Sequence, residues 1–428
     1  MRLWLIPLTY AVVSSLCGFT LPRLEHIYLD AYAFDISVTS AQAYLSAIAS
    51  GMMALTGIVF SIAFVMVQFS AIAYSPRLVL WFARDPSLYH SLGVFIATFI
   101  YSLATLAWVD RVGSGKVPVF SGVLVAALLV LSMLLFARMV QRLNDLQITN
   151  VLKTIGDRGR AVIGEMFERL DQSPELQRQA MLNLVGGQRL GPVTQSLRYS
   201  GAPRTVAELD VPRLVRLARQ AGAIIVMASA VGDTISDDAV LLSVHGGRKP
   251  IPVQDLRRAI QLRPERTFAQ DPKYPLRLLV DVAIKALSPA INDPTTAVQA
   301  IDQIEDLLRR LGRHQLDAGY AGDGDGKLRL IYPMPTWEDY LTLAFDEIRQ
   351  YGERSVQVMR RLRSTLIDLA SVQADPARAE AVQSYLKHLD LSIESAPFSA
   401  EDRIKALQED RQGLGLTRKR TETTAPSS

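Results

Sequence analysis

Long apolar runs crowd into the first third of the chain, whereas charged residues recur throughout the rest. Four of the runs approach the ~20 residues that a helix needs to cross the hydrocarbon core of a bilayer. The predicted spans are residues 3–21, 46–73, 88–109 and 117–137, and none of them contains Asp, Glu, Lys or Arg. Because proton relays and ion coupling usually depend on such residues, a proton-coupled carrier is disfavoured. The pattern predicts a four-span transmembrane domain over residues 1–140.

The first run has an alternative interpretation as a signal peptide, because Arg2 precedes the apolar residues. No clear small-x-small cleavage site follows this run. We therefore favour a retained membrane span.

After the spans, apolar positions recur at helical spacing in most segments and alternate in a few short ones. We predict a helical connector at 141–185, a small β-containing module at 186–250, a helical cytoplasmic domain at 251–412 and a disordered tail at 413–428. The individual strands are expected at 224–228, 239–244 and 327–332, and the helices at 141–170, 174–185, 211–221, 252–262, 336–350, 352–373, 376–389 and 400–411. The fold class is an α-helical membrane domain of four transmembrane helices, followed by a mainly helical α+β cytoplasmic domain with a small β module.

The best-specified stretch runs from Pro275 to Leu311 and predicts a helix, a sharp turn and a second helix. The first helix is expected to end at Ser288, because a residue before proline avoids the helical region. Asp293 followed by Pro294 is typical of an N-cap and a first helical residue. The second helix should therefore begin at Pro294.

Ser288, Asn292 and Asp293 form the best candidate polar site outside the membrane domain. One interpretation is turn and capping chemistry alone. The other is a ligand or ion held between the two helices, where the start of the second helix offers backbone donors. The residues do not identify that ligand or ion.

One face of the second span carries small and polar residues at helical spacing: Ser46, Ser50, Ala54, Gly57, Ser61 and Gln68. Small residues let helix backbones approach closely, and a glutamine is able to hydrogen-bond across an interface. This face therefore predicts helix packing, either within the four-span bundle or between subunits. The alternative interpretation is that the same face lines a pore or a water-filled cavity.

Positive charges orient the predicted spans. Arg77 and Arg84 fall between the second and third spans, and five Lys or Arg residues follow the fourth span by position 160. The loop at 22–43 has Arg23 as its only fixed positive charge. The positive-inside rule then places both termini in the cytoplasm. We expect a multi-pass protein of the bacterial inner membrane, whose immediate partner is the lipid bilayer.

Composition disfavours several other classes. The net charge of +4 is modest for 428 residues, so no nucleic-acid partner is expected. The single Cys17 cannot form an intrachain disulfide, and the five scattered histidines lack metal-ligand spacing. Asp323 and Asp325 imitate the start of a calcium loop, but Met334 occupies the twelfth position, so a hairpin or flexible loop is expected. No complete zinc-protease, nucleophile-elbow or Walker sequence is present, so we expect neither enzymatic activity nor a cofactor.

Four stretches of sequence point to a known family. They are SGMMALTGIVFSIAFVMVQFSAIAYSPRL around the second span, LGVFIATFIYSL in the third, ERTFAQDPKYPLRLLVDVAIKALSPAINDPTTAV beyond the membrane domain, and AFDEIRQYG near Tyr351. Together they resemble the bacterial membrane proteins grouped as domain of unknown function 2254. The resemblance covers nearly the whole chain, and its most specific part is residues 287–294. It implies an integral inner-membrane protein with a cytoplasmic α/β domain, and it implies no reaction.

Two functions from different classes remain open. We favour an oligomeric channel-like or transport-related protein, in which the second span lines a pathway and the cytoplasmic domain regulates it. We expect this protein to be a homo-oligomer. The alternative is a membrane-anchored sensing or scaffold protein without transport activity. Neither hypothesis identifies an ion or a small ligand.

Overall fold

The computed structural model describes residues 3–28, 36–73, 86–111, 114–145, 147–171, 190–314, 316, 319–411 and 413–414. The chain divides into two compact units, the N-terminal unit (residues 1–150) and the C-terminal unit (residues 151–428). Three predicted features lie outside the described residues: the loop with Arg77 and Arg84, the helix at 174–185, and nearly all of the tail from Gly413.

Four helices of the N-terminal unit are long and apolar enough to cross a membrane. They are α1 (Leu5–Tyr28), α2 (Val38–Ala73), α3 (Pro86–Leu106) and α4 (Val119–Asp145). Each corresponds to one predicted span. The helices α1, α2 and α4 extend past the apolar runs, because adding a residue to an existing helix is much easier than nucleating a new one.

Small residues allow α1 and α3 to approach closely. A β-carbon added at Gly93 of α3 would lie 2.6 Å from the ring of Tyr10, and one added at Gly18 of α1 would lie 2.5 Å from Ala104 Cβ. The Ser14 hydroxyl donates a 2.6 Å hydrogen bond to a backbone carbonyl of α3. A second polar contact joins the Tyr10 hydroxyl to His90 Nδ1 at 3.3 Å. Close backbone approach and polar contacts therefore hold this pair together, as is usual for helices that pack in lipid.

The helix α3 is central to the N-terminal unit, since its contacts with α1, α2 and α4 are the most extensive contacts between described helices of that unit. Leu45, Met52 and Val59 line the side of α2 that is buried in the unit. They share one apolar cluster with Phe95 and Tyr101 of α3. This packing assigns one face of α2 to the interior of the chain.

The C-terminal unit contains both helices and short strands. Its elements are α5 (Ile148–Asp171, which starts three residues before the unit), β1 (Val193–Arg198), β2 (Arg204–Leu209), α6 (Val211–Ala221), β3 (Ala223–Met227), β4 (Thr234–Ile235), β5 (Val240–Gly246), α7 (Val253–Arg258), β6 (Ile260–Arg263), α8 (Lys273–Ala286), α9 (Pro294–Leu311), β7 (Tyr320–Gly322), β8 (Leu328–Ile331), α10 (Trp337–Gly352), α11 (Val356–Val372), α12 (Pro376–Ser395) and α13 (Ala400–Ala406).

The described strands form two sheets. The first has the strand order β1-β5-β3-β8-β7, and the second has the order β4-β2-β6. The strands β3 and β8 run parallel, and the other neighbouring strands run antiparallel. Val206, Leu214, Ile225, Leu242 and Leu330 contribute to one buried cluster that joins strands of both sheets to α6.

The helices α10 and α11 pack against α8 and α9, which are the two helices of the predicted helix–turn–helix, and α12 packs against α10 and α11. Asp293 is the N-cap of α9, as predicted, and its Oδ1 accepts a 3.1 Å hydrogen bond from Thr296 N. Arg277 of α8 pairs with Asp281 as its four-residue spacing predicts, and it also binds Glu347 of α10 with both terminal nitrogens. Local capping and an interhelical ion pair thus position these helices.

The structure corrects three sequence boundaries. The predicted helix 141–170 is divided, because its first residues extend the fourth span as part of α4, which ends at Asp145, and α5 begins at Ile148. The predicted helix 252–262 is the short helix α7 followed by strand β6, whose Ile-Gln-Leu-Arg alternation suits a strand. The β module predicted at 186–250 is not self-contained, because its sheets include β6, β7 and β8 from later in the chain.

Candidate functional site

The predicted face of α2 lies on the outside of the chain. Its six residues, Ser46, Ser50, Ala54, Gly57, Ser61 and Gln68, are all exposed. At about 100° per residue, this face lies roughly opposite the side of α2 that packs against α3. Because this face is exposed, it does not pack against another described helix of the same chain, which was one of the two predicted kinds of packing. Packing between chains, or the lining of a pathway, stays a prediction.

The exposed face is narrow and is not made of small residues alone. A β-carbon added at Gly57 would meet no heavy atom within 4 Å, and the Ser61 hydroxyl donates a 3.1 Å hydrogen bond to the Gly57 carbonyl. Phe64 falls on the same face between Ser61 and Gln68, and its side chain is 60% exposed. The polar part of the face is therefore interrupted before the amide of Gln68.

The predicted polar turn between α8 and α9 uses its side chains locally. Ser288 Oγ donates a 2.7 Å hydrogen bond to the Lys285 carbonyl. The Asp293 carboxylate accepts from both the backbone nitrogen and the hydroxyl of Thr296. Asn292 is exposed and adopts a left-handed φ of 50°, which asparagine tolerates better than most residues. These contacts are those of turn and capping chemistry.

A cavity of about 450 Å³ in the C-terminal unit was not predicted. Its walls come from α5, the end of β2, the start of α6, the turn after β3, the loop 269–273, strand β7 and the segment 332–335. Its volume falls in the range of small-molecule sites in proteins. The predicted helices 141–170 and 211–221 supply two of these walls, but no local pattern in the sequence indicated that a cavity would form between them.

Three carboxylates and one ammonium group contribute to the cavity wall: Glu165, Glu208, Asp271 and Lys273. Burial raises the pKa of the Asp271 carboxyl, although the nearby Arg266 and Lys273 act in the opposite direction. Burial also raises the pKa of the Tyr332 phenol to about 12, so this wall residue remains a hydrogen-bond donor at neutral pH. The wall therefore combines acidic groups with apolar and aromatic side chains.

The loop that closes one side of the cavity is tied to strand β2. The side-chain amide of Gln270 accepts from Leu209 N at 3.0 Å and donates to Leu209 O at 3.2 Å. Gln270 adopts a φ of 52°, a sparsely populated region for a residue other than glycine. The next residue, Asp271, is 2% exposed, and its Oδ1 accepts a 3.1 Å hydrogen bond from Lys273 N. The loop is thus held in a specific conformation at the cavity.

A carboxylate that was predicted to lie in a loop belongs to α1. Glu25 accepts hydrogen bonds from the backbone nitrogens of Phe120 and Ser121 at 2.7 and 2.9 Å. These nitrogens belong to the first turn of α4, whose free N–H groups favour a negative charge. Glu25 therefore ties the end of α1 to the start of α4.

The membrane-protein character implied by the four apolar helices agrees with a family comparison. Residues 1–368 match the family described as predicted membrane protein (DUF2254). The chain belongs to this family.

The chain is similar to proteins of mycobacteria. Uncharacterized proteins of Mycobacterium tuberculosis and Mycobacterium bovis are each 28% identical to this chain over 396 residues. The matches cover 90% of this chain and 74% of each relative. No solved structure shows significant similarity to this DUF2254 protein. The family and the four apolar helices together make it a predicted membrane protein, and they assign it no reaction.

Proposed function

We propose that this protein is an oligomeric, channel-like protein of the bacterial inner membrane, with both termini in the cytoplasm. In this proposal the exposed face of α2 meets the same helix of neighbouring copies and borders a pathway for a small solute or ion. The C-terminal unit regulates that pathway.

The exposure of the small and polar face of α2 is the observation that supports the proposal. In lipid, a face of small residues gains little unless another helix approaches it closely. An amide such as that of Gln68 also costs free energy when it faces hydrocarbon without a hydrogen-bond partner. A second copy would bring a helix close to this face. A second copy, or water in a pathway between copies, would also supply a hydrogen-bond partner for the amide. The side of α2 that contains Met52 is already used inside the chain.

Three consecutive residues at nearly the same depth allow a matched test. Ser50 lies on the face, Gly51 is exposed on another side, and Met52 is buried. Each is replaced by cysteine in a Cys17→Ser background, and the full chain is reconstituted in liposomes. We expect oxidative cross-linking between copies for Ser50→Cys and much less for the two controls. Absence of a Ser50→Cys cross-link in a correctly inserted protein would contradict assembly through this face.

Labelling and flux then separate a pathway from simple packing. A membrane-impermeant thiol reagent should modify Ser61→Cys in the intact membrane and reduce ion flux through the same liposomes. Phe60→Cys is the control, because Phe60 is exposed but lies beside the face. Cross-linking at position 50 without labelling or flux would leave an oligomer without a pathway.

The second candidate function is a membrane-anchored sensing or scaffold protein. The cavity in the C-terminal unit favours it, because a ligand-sized cavity serves a sensor whether or not the apolar helices conduct anything. Proteoliposomes without flux, together with ligand binding to the full chain, would favour this alternative over the channel-like protein.

A further inference from the structure

The cavity of the C-terminal unit has two carboxylates in its wall that no neighbouring cationic side chain among the described residues neutralises. Lys273 Nζ lies 3.8 Å from Asp233 Oδ1, and Arg266 Nε lies 3.6 Å from Asp271 Oδ2. These contacts pair Lys273 and Arg266 with aspartates. None of the ion pairs among the described residues of this region involves Glu165 or Glu208.

Glu208 is the stronger of the two unpaired carboxylates as a binding group. It is half-buried on β2, the central strand of its sheet, whereas Glu165 is exposed on α5. A half-buried charge is screened less by water and salt than an exposed one. A cation that reaches the cavity would therefore gain most from Glu208.

Asp271 is the most buried carboxylate of the cavity wall. It is 2% exposed, and its Oδ2 accepts no hydrogen bond within the described part of the chain. Buried polar atoms of this kind are rare in native structures and call for a specific explanation. The ion pair with Arg266 is that explanation, because Arg266 Nε lies 3.6 Å from Oδ2, so Asp271 contributes negative charge beside the cavity rather than a free acceptor for a ligand.

The rest of the wall suits an apolar body. Val162, Met166, Leu209 and Met334 contribute aliphatic and thioether surface, and Tyr320 and Tyr332 contribute aromatic rings. Methionine adapts to ligands of irregular shape, and aromatic faces attract cations as well as apolar groups. This surface would exclude water from one part of a ligand while the carboxylates bind another.

We propose that this cavity is a binding site for a small organic cation, an amine or amidine attached to an apolar body, with Glu208 as its principal counter-ion. The site does not depend on the proposed conduction by the N-terminal unit, because every wall residue belongs to the C-terminal unit.

Three probes of similar size, one positive, one neutral and one negative, test this proposal on the full chain in detergent. They are 2-phenylethylamine, 2-phenylethanol and 3-phenylpropionate, measured by isothermal titration calorimetry. We expect saturable binding of the amine, about tenfold tighter than the alcohol, because a charge-assisted hydrogen bond is worth roughly one such factor. Binding of the propionate should be weakest. Equal affinity for the amine and the alcohol, tighter binding of the propionate, or no saturable amine binding would each overturn the proposal.

Matched variants locate the binding. Glu208→Gln should weaken amine binding about tenfold and leave alcohol binding unchanged. Glu380→Gln, at an exposed carboxylate on α12, should change neither. Ala269→Phe places a ring at the cavity and should abolish binding, whereas Ala290→Phe in the exposed turn after α8 should not. Amine binding that survives Ala269→Phe would place the site elsewhere and overturn the proposal. The comparison of the three probes on the unaltered protein holds even if a variant fails to fold.

Discussion

At the scale of single residues, carboxylates stabilise two turns of the C-terminal unit. Asp293 caps α9, and Asp323 accepts from the backbone nitrogens of Asp325 and Lys327 in the turn between β7 and β8. Asp323 Oδ2 also accepts a 2.7 Å hydrogen bond from Arg329. The stretch that imitates a calcium loop is therefore a hairpin turn, one of the two structures expected from its sequence.

Replacement of Asp293 tests the cap. Asp293→Ala should lower the free energy of unfolding by about 1 kcal/mol, because the first turn of α9 loses its side-chain acceptor. Asp293→Asn keeps a side-chain acceptor, so its free energy of unfolding should be close to that of the unaltered protein. Chemical unfolding of the full chain, followed by circular dichroism, measures both. Unchanged stability of Asp293→Ala, combined with loss of a ligand response, would favour the functional interpretation of this turn.

The hairpin turn predicts a pH dependence of stability. Burial by itself raises the pKa of Asp323, but the hydrogen bonds from Arg329 and the backbone outweigh it, so this pKa is lowered. A lowered pKa in the folded state gives stability that is present above the unfolded-state pKa of about 3.9 and is lost as pH falls through the folded value. Asp323→Asn should thus unfold at a lower temperature than the unaltered protein at neutral pH, and the difference should narrow below about pH 4. A difference that stays constant with pH would contradict this role.

At the scale of elements, the close contact inside the N-terminal unit is between α1 and α3, and it was not predicted. The residues were visible as small-xxx-small pairs, Ser14 with Gly18 and Gly93 with Ala97. The small face of α2 is longer than either pair, yet it is exposed. Spacing along one helix does not reveal which of several small faces finds a partner.

Three glycine substitutions separate these contacts. Gly93→Leu should destabilise the fold of the single chain by about 1–3 kcal/mol or more, because its side chain would meet Tyr10. Gly57→Leu should leave the single-chain fold intact but weaken association between copies. Gly51→Leu is the matched control, since a β-carbon added there meets no heavy atom within 4 Å and it lies off the face. Thermal unfolding and light scattering in detergent measure fold and association separately. Equal oligomer stability in Gly57→Leu and Gly51→Leu would remove α2 from the interface.

At the scale of the whole molecule, the distribution of charge predicts orientation. Arg138 and Arg142 follow the last apolar run, whereas the segment before α2 is poor in positive charge. The positive-inside rule then predicts that the C-terminal unit lies in the cytoplasm.

Reporter fusions test this orientation. A fusion after Arg142 should be active only with a reporter that works in the cytoplasm. A fusion near Asp30, which lies outside the described residues, should be active only with an exported reporter. The reverse pattern would invert the topology and place the cavity of the C-terminal unit outside the cytoplasm.

The sequence by itself determined the features that depend on neighbouring residues. Apolar run length identified the four helices, and the Asp293-Pro294 pair located the start of α9. The length of an apolar run and the capping of a helix depend on residues that are neighbours in sequence, so a linear pattern records them. The family resemblance likewise rested on continuous segments, and it is confirmed over residues 1–368.

Only the tertiary structure decided which surfaces meet. It buried the Met52 side of α2 and left the Gly57 side exposed, although the residues of both sides recur at helical spacing. It joined β3 to β8, and it assembled a cavity from walls as far apart in sequence as Val162 and Pro335. Such contacts depend on the pairing of distant elements, whose free energy comes from packing over the whole unit. No local pattern of polar and apolar residues specifies that pairing.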